Sequence, residues 1–414
     1  MIDIFSRETI GSGAHAMPGA AACPKFPALA RARSLTPEQI ADIVEASGLA
    51  GKGGAGFPAH SKLRLMQREA ADRKYLVVNG SEHEPGSLKD LYLLERYPAT
   101  VLEGALILAH AAGVSSVRIA VNETAHLAIA SLVEGIASLA ATGRLDAADS
   151  RTLIDVVPVP DSYIVGEETA LLEFIEGRKP WPRRRPPYPI QSGLFGAPTL
   201  IQNVETVAHL PFIVCHGGDA YRSLGQNGAG VTLCTFGDEF ANSGVQLLPL
   251  GITLREVIFT HGGGLRSGKS IKAVQPGGPS AGYLTASQFN AVFDAGSLAK
   301  AGSSLGCAAI RGFAEEADMV AVVSEIAEFF AKESCGQCPQ CRMETQMLAT
   351  ILKQTRVGRG NQKLLNQIPV IVKLNVDKGI CGLIKMPVAP VYSALKSFAQ
   401  EFEARLPSPA SAQN

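Results

Sequence analysis

The stretch "GKGGAGFPAHSKL", residues 51–63, contains Gly51-Lys52-Gly53-Gly54-Ala55-Gly56 and so fits the G-x-G-x-x-G fingerprint of dinucleotide-binding proteins. In that fingerprint the glycines follow a strand and open a helix within a βαβ unit. Here the preceding stretch, "TPEQIADIVEASGL", reads as a helix. Thr36 sits at an N-cap, Pro37 at the first helical position and Gln39 completes a capping box, while Ile40, Ile43 and Val44 form an apolar stripe and Gly48 suits a C-cap. A glycine loop after a helix is not an ordinary Rossmann turn. It is either a plain surface loop or a phosphate cradle of backbone N–H groups, with an aromatic (Phe57) and an ammonium (Lys62) beside it.

The chain has 414 residues, enough for two to four domains at about 150 residues each. With 46% hydrophobic and 18% charged residues it can bury substantial cores. Lys+Arg and Asp+Glu both number 38, which removes any general electrostatic case for nucleic acid or an anionic membrane surface. The N-terminus carries an early acid and no apolar core, so it does not read as a secretory signal, and no apolar run approaches the roughly 20 residues of a membrane span. The expectation is a soluble, cytoplasmic protein without direct membrane insertion.

Residues 1–34, rich in Ala and Gly with Pro18, Pro24 and Pro27, read as an arm. Beyond the glycine loop, "RKYLVVNG" predicts a strand ending at Asn79, followed by the acidic turn "SEHEPGSLKD". A helix is expected over about 96–112, stopping at Gly113, and "SVRIAVNET" and "TLIDVVPVP" predict two more strands. Strands alternating with helices imply an α/β domain. Residues 178–199, rich in Pro and Arg, exclude a long regular element. From about 229 to 285, short strands, one helix and glycine turns suggest a small separate α+β module. Beyond 313 the apolar period is helical, through Met319, Val323, Ile326, Phe330, Leu348 and Leu352.

"ESCGQCPQCRME" sets Cys335, Cys338 and Cys341 at C-x2-C-x2-C, with Cys381 after 39 intervening residues. Three thiolates on one turn with a distant fourth suit the corners of a [4Fe–4S] cluster. Structural zinc, which more often uses paired C-x2-C or Cys/His sets, and unligated core thiols are the alternatives. Cys23, Cys215, Cys234 and Cys307 have no spacing partner and read as packing residues.

The ordered blocks "GKGGAGFP…K", "YLVVNGSEHEPGSLKD", "SYIVGEETALLEFIEGR", "PPYPIQSGLFGAPTLIQNVET" and "ESCGQCPQCR…C" closely resemble the NADH-oxidising flavoprotein subunit of bacterial respiratory complex I. They resemble equally its relatives in NAD-linked formate dehydrogenases and bidirectional hydrogenases. The resemblance implies an α/β FMN-binding, Rossmann-like domain (35–226), a small β-grasp module of the soluble-ligand-binding type (227–295), a C-terminal all-α bundle holding the iron–sulfur cluster (296–405) and a tail (406–414). It implies FMN contacts from Gly51, Gly53, Lys62, Asn79, Glu82, Gly166, Asn203 and Thr206. Phe57 and Tyr188 would stack the adenine of NADH, with Glu84, Tyr163 and Glu168 nearby. Lys52, Gly54, Gly56, Ser81, Glu167 and Gln202 complete the candidate cofactor-binding set. A carboxylate at Glu168 near the adenosine ribose would favour NADH over NADPH. No side chain is required as an acid or base; hydride passes between NAD(H) and FMN, and stacking and positioning are the protein's work.

Taken one at a time, these residues have ordinary readings as well. Glu82 and Glu84 could be solvated turn carboxylates, the "GEET" acids a helix N-terminus facing the dipole, and Phe57 a core aromatic. His60 and His83 read as bystanders. The chain departs from the family pattern at Ala50, Lys52, Leu65, Ser81, Arg185 and Gln202. These departures point to a paralogue serving another multi-subunit redox assembly. Its partners would be subunits carrying further iron–sulfur clusters, among them a thioredoxin-like [2Fe–2S] protein. The alternative is an FMN/iron–sulfur bridging subunit that has lost productive NAD(H) binding.

Overall fold

The structure, a computed structural model, describes residues 4–5, 26–141 and 152–407. Most of the expected arm, including Cys23, and the end of the tail lie outside the described residues. Three units follow one another along the chain. The first holds four parallel strands, β1 (Tyr75–Gly80), β2 (Ser116–Asn122), β3 (Leu153–Val159) and β4 (Thr199–Asn203), in the order β3-β2-β1-β4. Around them lie α1 (Pro27–Arg33), α2 (Pro37–Ser47), α3 (Ala59–Arg68), α4 (Lys89–Arg96), α5 (Pro98–Ala112), α6 (His126–Ala141), α7 (Glu168–Ile175), α8 (Val204–His216) and α9 (Gly218–Arg222). Central strand β1 is covered on both faces, so Leu76, Val77 and Val78 are all fully buried and read as one apolar run.

The chain leaves β1 towards β2 on one side and later adds β4 on the other. This makes the β1/β4 edge a topological switch point, where ligands of open α/β sheets bind at the carboxyl ends of the strands. Asn79 and Asn203 face each other in register there.

Local signals in the sequence translate directly. Thr36 and Gln39 form the capping box of α2, Gly48 closes it at φ 65°, and Gly113 closes α5 at φ 65°. In the first unit two expectations need correction. Residues 27–34 are not a free arm: α1 buries Ala28, Leu29 and Ala32, and the carboxylate of Glu103 accepts from Ala28 N at 2.8 Å and Leu29 N at 3.1 Å. Phe5 is buried too, with its ring 5.2 Å from that of His209. The acidic turn is also shorter than expected, because Lys89 and Asp90 already begin α4.

Helices α5 and α8 approach so closely at Gly104 that a Cβ there would lie 2.1 Å from the carbonyl oxygen of Val207. Gly104→Ala should therefore force the helices apart and destabilise the chain by about 1–3 kcal/mol or more. A thermal midpoint equal to that of wild type would refute the close contact.

The second unit is a five-stranded mixed sheet of β5 (Val231–Phe236), β6 (Gly244–Pro249), β7 (Ile271–Gln275), β8 (Leu284–Thr285) and β9 (Ala309–Ala314), in the order β6-β5-β9-β7-β8, with short helices α10 (Leu254–Glu256) and α11 (Ala295–Lys300). Its central strand β9 pairs parallel with β5 and antiparallel with β7. The unit therefore runs to 314 and not 295; a strand that pairs only with distant segments leaves no local mark of where it belongs. Helices α12 (Met319–Glu333), α13 (Pro339–Arg356), α14 (Gln362–Leu365), α15 (Ile368–Asn375), α16 (Val388–Ser397) and α17 (Ala399–Glu403) make the third unit around Val323, Phe330, Leu348, Leu352 and Val391. No helix among the described residues is long and apolar enough to cross a membrane.

Candidate functional site

The glycine loop folds back on itself: Gly51 N donates to Phe57 O at 2.8 Å, and Gly54 and Gly56 take φ of 97° and 66°, which a side chain would strain. Gly53 lies against Asn203, whose Cβ would be 3.4 Å from a Cβ at that position. The loop thus rests on the switch-point edge, with exposed backbone. Phe57 is 46% exposed and Tyr188 55%, so neither ring is used in a core. Lys62, on α3, donates to Ile201 O at 3.1 Å and pairs with the carboxylate of Glu168, which also has Arg185 at 3.7 Å.

At the end of β1, Asn79 donates through Nδ2 to Gly166 O at 2.9 Å and accepts from Ser81 N at 3.2 Å. Gly166 ends the single 3-10 turn Tyr163–Gly166, and a Cβ there would meet nothing within 4 Å. The Tyr163 hydroxyl donates to Glu84 at 2.6 Å, and the other oxygen of Glu84 is buried without a hydrogen-bond partner. Burial pushes the Glu84 carboxyl upward, against the pull of the Tyr163 hydroxyl.

Several candidates turn inward. Glu82 accepts from Ser87 Oγ at 2.7 Å, Asp90 N at 3.0 Å and Leu91 N at 2.7 Å, and so caps α4. Glu167 is the N-cap of α7 and pairs with Arg185 at 2.6 Å, which is the helix-terminus reading of "GEET". Ser81 and Gln202 are buried, the latter within β4. Thr206 accepts from Lys52 N at 2.9 Å. The Lys52 side chain leaves the loop altogether and donates to Val231 O at 2.8 Å, so its ammonium is no phosphate clamp; burial depresses its pKa, while Glu205 works the other way.

Behind the loop lies a buried ionic cluster that sequence reasoning did not single out. Lys89 Nζ contacts Asp90 at 2.8 Å, Glu205 at 3.2 Å and Asn203 Oδ1 at 3.1 Å. Glu205 also accepts from His209 Nε2 at 3.3 Å and, across the unit boundary, from Leu233 N at 2.8 Å and Thr232 Oγ1 at 3.1 Å. Burial opposes charge on Lys89 and Glu205. At Lys89 the carboxylates of Asp90, Glu205 and Glu82 together outweigh it and raise the pKa; at Glu205 Lys89, His209 and Lys52 together hold the carboxyl well below the usual range. Lys89, Asp90 and Glu205 stand inside the "KD" and "NVET" blocks, but partners more than 100 residues apart carry no local signature.

Cys335, Cys338, Cys341 and Cys381 line one cavity, together with Ser334, Gly379 and, from the first unit, Ile164 and Pro182. Pro339 opens α13 directly after Cys338, and Cys381 stands before the short turn Gly382–Lys385. Among the described residues no group of three or more His, Cys, Asp or Glu side chains is arranged to hold a metal ion. A C-x2-C-x2-C run with a distant fourth thiol, all four lining one cavity, suits the corners of a multi-atom cluster. Ile380 N donates to Cys338 Sγ at 3.3 Å, the kind of contact that sets a cluster's potential. Burial pushes the Cys341 thiol up to about 11 and that of Cys381 to about 12, so iron must displace their protons.

A glycine-loop cleft and a four-thiol cavity that meet at one turn are the parts of a flavin and iron–sulfur electron carrier. Residues 44–211 match the family model of the Nuo51 FMN-binding domain, and residues 321–405 that of the NADH-ubiquinone oxidoreductase-F iron-sulfur binding region. The chain belongs to the family of NADH-quinone oxidoreductase F subunits. It is 36% identical over 382 residues to the F subunit of NADH-quinone oxidoreductase from Escherichia coli, covering 91% of this chain and 86% of that one. It is 34% identical over 386 residues to the NADP-reducing hydrogenase subunit HndC of Solidesulfovibrio fructosivorans, covering 92% and 79%. Among solved structures, an NAD+-reducing [NiFe]-hydrogenase in the H2-reduced state superposes with a TM-score of 0.85 at 29% identity, over 93% of this chain and 65% of that one.

Proposed function

We propose that the chain is the NADH-oxidising flavoprotein component of a multi-subunit redox complex. When bound, FMN exchanges hydride with NAD(H) and single electrons with the [4Fe–4S] cluster. The observation that carries this reading is the turn Tyr163–Gly166. Its Tyr163 hydroxyl and Gly166 carbonyl engage Glu84 and Asn79 on the flavin side, while Ile164 between them lines the four-cysteine cavity.

The chain's own residues fit both groups. Exposed loop backbone at Gly53 and Gly54, the ammonium of Lys62 and the open space beside Gly166 suit a phosphate and a planar ring. The exposed rings of Phe57 and Tyr188 suit the adenine. Ser81 is wholly buried, so the departure from the family pattern there alters the wall of the cleft and not its lining; this favours retained nucleotide binding over a bridging subunit without it. The mixed five-stranded unit is the β-grasp module of this reading. The next carriers lie on other subunits, a thioredoxin-like [2Fe–2S] protein among them, and the assembly is cytoplasmic.

Anaerobic stopped flow with the cofactor-replete chain tests the reading. NADH should bleach the flavin absorbance rapidly; a flavin that stays oxidised with both cofactors present would sink it. Glu168 is the point of nucleotide choice. Its charge is held between Lys62 and Arg185, and Glu168→Gln would leave both cations facing the cleft. The NADPH-to-NADH ratio of kcat/KM should rise by at least about tenfold in that variant, because an anion-repelling group is exchanged for unpaired positive charge. An unchanged ratio would remove Glu168 from the specificity argument.

A further inference from the structure

The segment 79–84, from the end of β1 into the following loop, and the turn 160–166 are tied together by three hydrogen-bonded rungs. Asn79–Gly166 and Glu84–Tyr163 belong to the site already described. The third pairs His83 Nδ1 with Asp161 Oδ1 at 3.2 Å, and Asn122 Nδ2 donates to the same carboxylate oxygen at 3.0 Å. Asn122 is itself fixed, since its Oδ1 accepts from Thr124 N at 2.9 Å and Thr124 Oγ1 at 2.8 Å. The amide of Asn122 therefore presents only its N–H to the pair.

A carboxylate has no proton to give, so Nδ1 carries the proton of the neutral ring and Nε2 holds the lone pair. The His83 side chain is 4% exposed, although Asp161 is 67% exposed, and Nε2 is buried with no partner. This histidine is thus built into the wall and is not a surface residue beside it. The rung leads straight to the site: Asp161 is two residues from Tyr163, and Tyr163 N is held by Glu333 Oε2 at 3.2 Å at the end of α12.

Resting on the functional reading above, we propose that His83 is a positioning residue for nucleotide use. Through Asp161 it fixes the turn Tyr163–Gly166 against the loop that carries Glu84, and so holds the cleft at the width the nucleotide needs. The groups facing it are Asp161 from the turn, Asn122 from the end of β2 and Glu333 from α12. Burial lowers the His83 pKa, with Asp161 and then Glu333 opposing, so the ring is neutral above the ordinary histidine value of about 6.5. On acidification below that value Nε2 must accept a proton where no acceptor waits for the new N–H, and the rung is strained.

Three variants test this in the FMN- and cluster-loaded chain: His83→Ala, His83→Gln and Asp161→Asn. His83→Ala should raise KM for NADH by about fivefold at pH 7.5 with kcat nearly unchanged, the size of one lost hydrogen bond. Asp161→Asn, a substitution at an exposed side chain that spares the core, should move KM in the same direction. His83→Gln keeps a donor without titrating. It should restore most of the affinity and abolish the rise of KM that wild type should show as pH falls below the ordinary histidine value of about 6.5. Wild-type KM in both His83→Ala and Asp161→Asn would overturn the proposal. Should saturating NADH fail to bleach the wild-type flavin, the functional reading itself has failed. The rung is then judged separately by hydrogen exchange over residues 160–166, which His83→Ala must accelerate if His83 fixes the turn.

Discussion

Cys381→Ser is expected to abolish the iron–sulfur absorbance and the reduced-state paramagnetic signal of the purified chain while FMN stays bound. Cys381 alone of the four thiols comes from outside the helix-bracketed run 335–341, and it closes the cavity from the turn that precedes Gly382–Lys385. Outer-shell changes at metal sites cost about 10–100-fold in affinity, and loss of a ligand exceeds that. Burial leaves the Cys335 and Cys341 thiols reluctant to ionise, so three corners have no surplus to hold four irons. The candidate flavin contacts Gly53, Lys62 and Asn79 lie in the other unit, so saturating NADH should still bleach the flavin. Iron content per chain and the low-temperature spectrum after dithionite check the result. A Cys381→Ser chain with a full cluster would mean that Cys381 is a packing residue.

Glu205→Ala is expected to be the most damaging single change to the first unit. Glu205 is wholly buried and receives Lys89, His209, Thr232 and the amide of Leu233. Its removal strands two buried ammonium groups, Lys89 and Lys52, with one fewer anion between them. Breaking a buried pair from one side costs about 3–5 kcal/mol, because the surviving charge is left uncompensated. The thermal midpoint of the FMN-binding unit should fall by about 10 °C. Lys89→Met added to Glu205→Ala should recover part of the loss, since it removes one stranded charge. Unfolding of each unit is followed separately, by flavin release and by loss of iron absorbance, because a chain of several units need not melt in one step. An unchanged midpoint in Glu205→Ala would show that the cluster is not the structural centre described above.

The sequence carried the local half of the fold. Capping boxes, C-cap glycines and apolar periods depend on residues within a few positions of one another, and Thr36, Gly48, Gly113 and the strands around Val77 and Ile119 behave as read. It also carried the cysteine spacing. It did not carry β9, whose place between β5 and β7 is set by distant pairing. Nor did it show which polar residues of a motif line the cleft and which hold it up. Glu82, Glu167 and Lys52 share blocks with Glu84, Glu168 and Gly53, yet the first three are engaged in caps and buried contacts. A motif records that a set of residues is needed together without distinguishing contact from support.

The contact from Glu205 to Thr232 and Leu233 has a consequence for modularity. The two matched family regions, 44–211 and 321–405, flank the stretch that holds β5, yet the anion at the heart of the first is completed by main chain from that stretch. A truncated chain ending before Val231 would strip Glu205 of two donors and Lys52 of its acceptor. The flavin-binding segment is therefore not a portable cassette. Recombination or fragment expression that separates it from the following sheet yields half of a salt-linked joint, and the smallest inheritable unit of this fold is the pair.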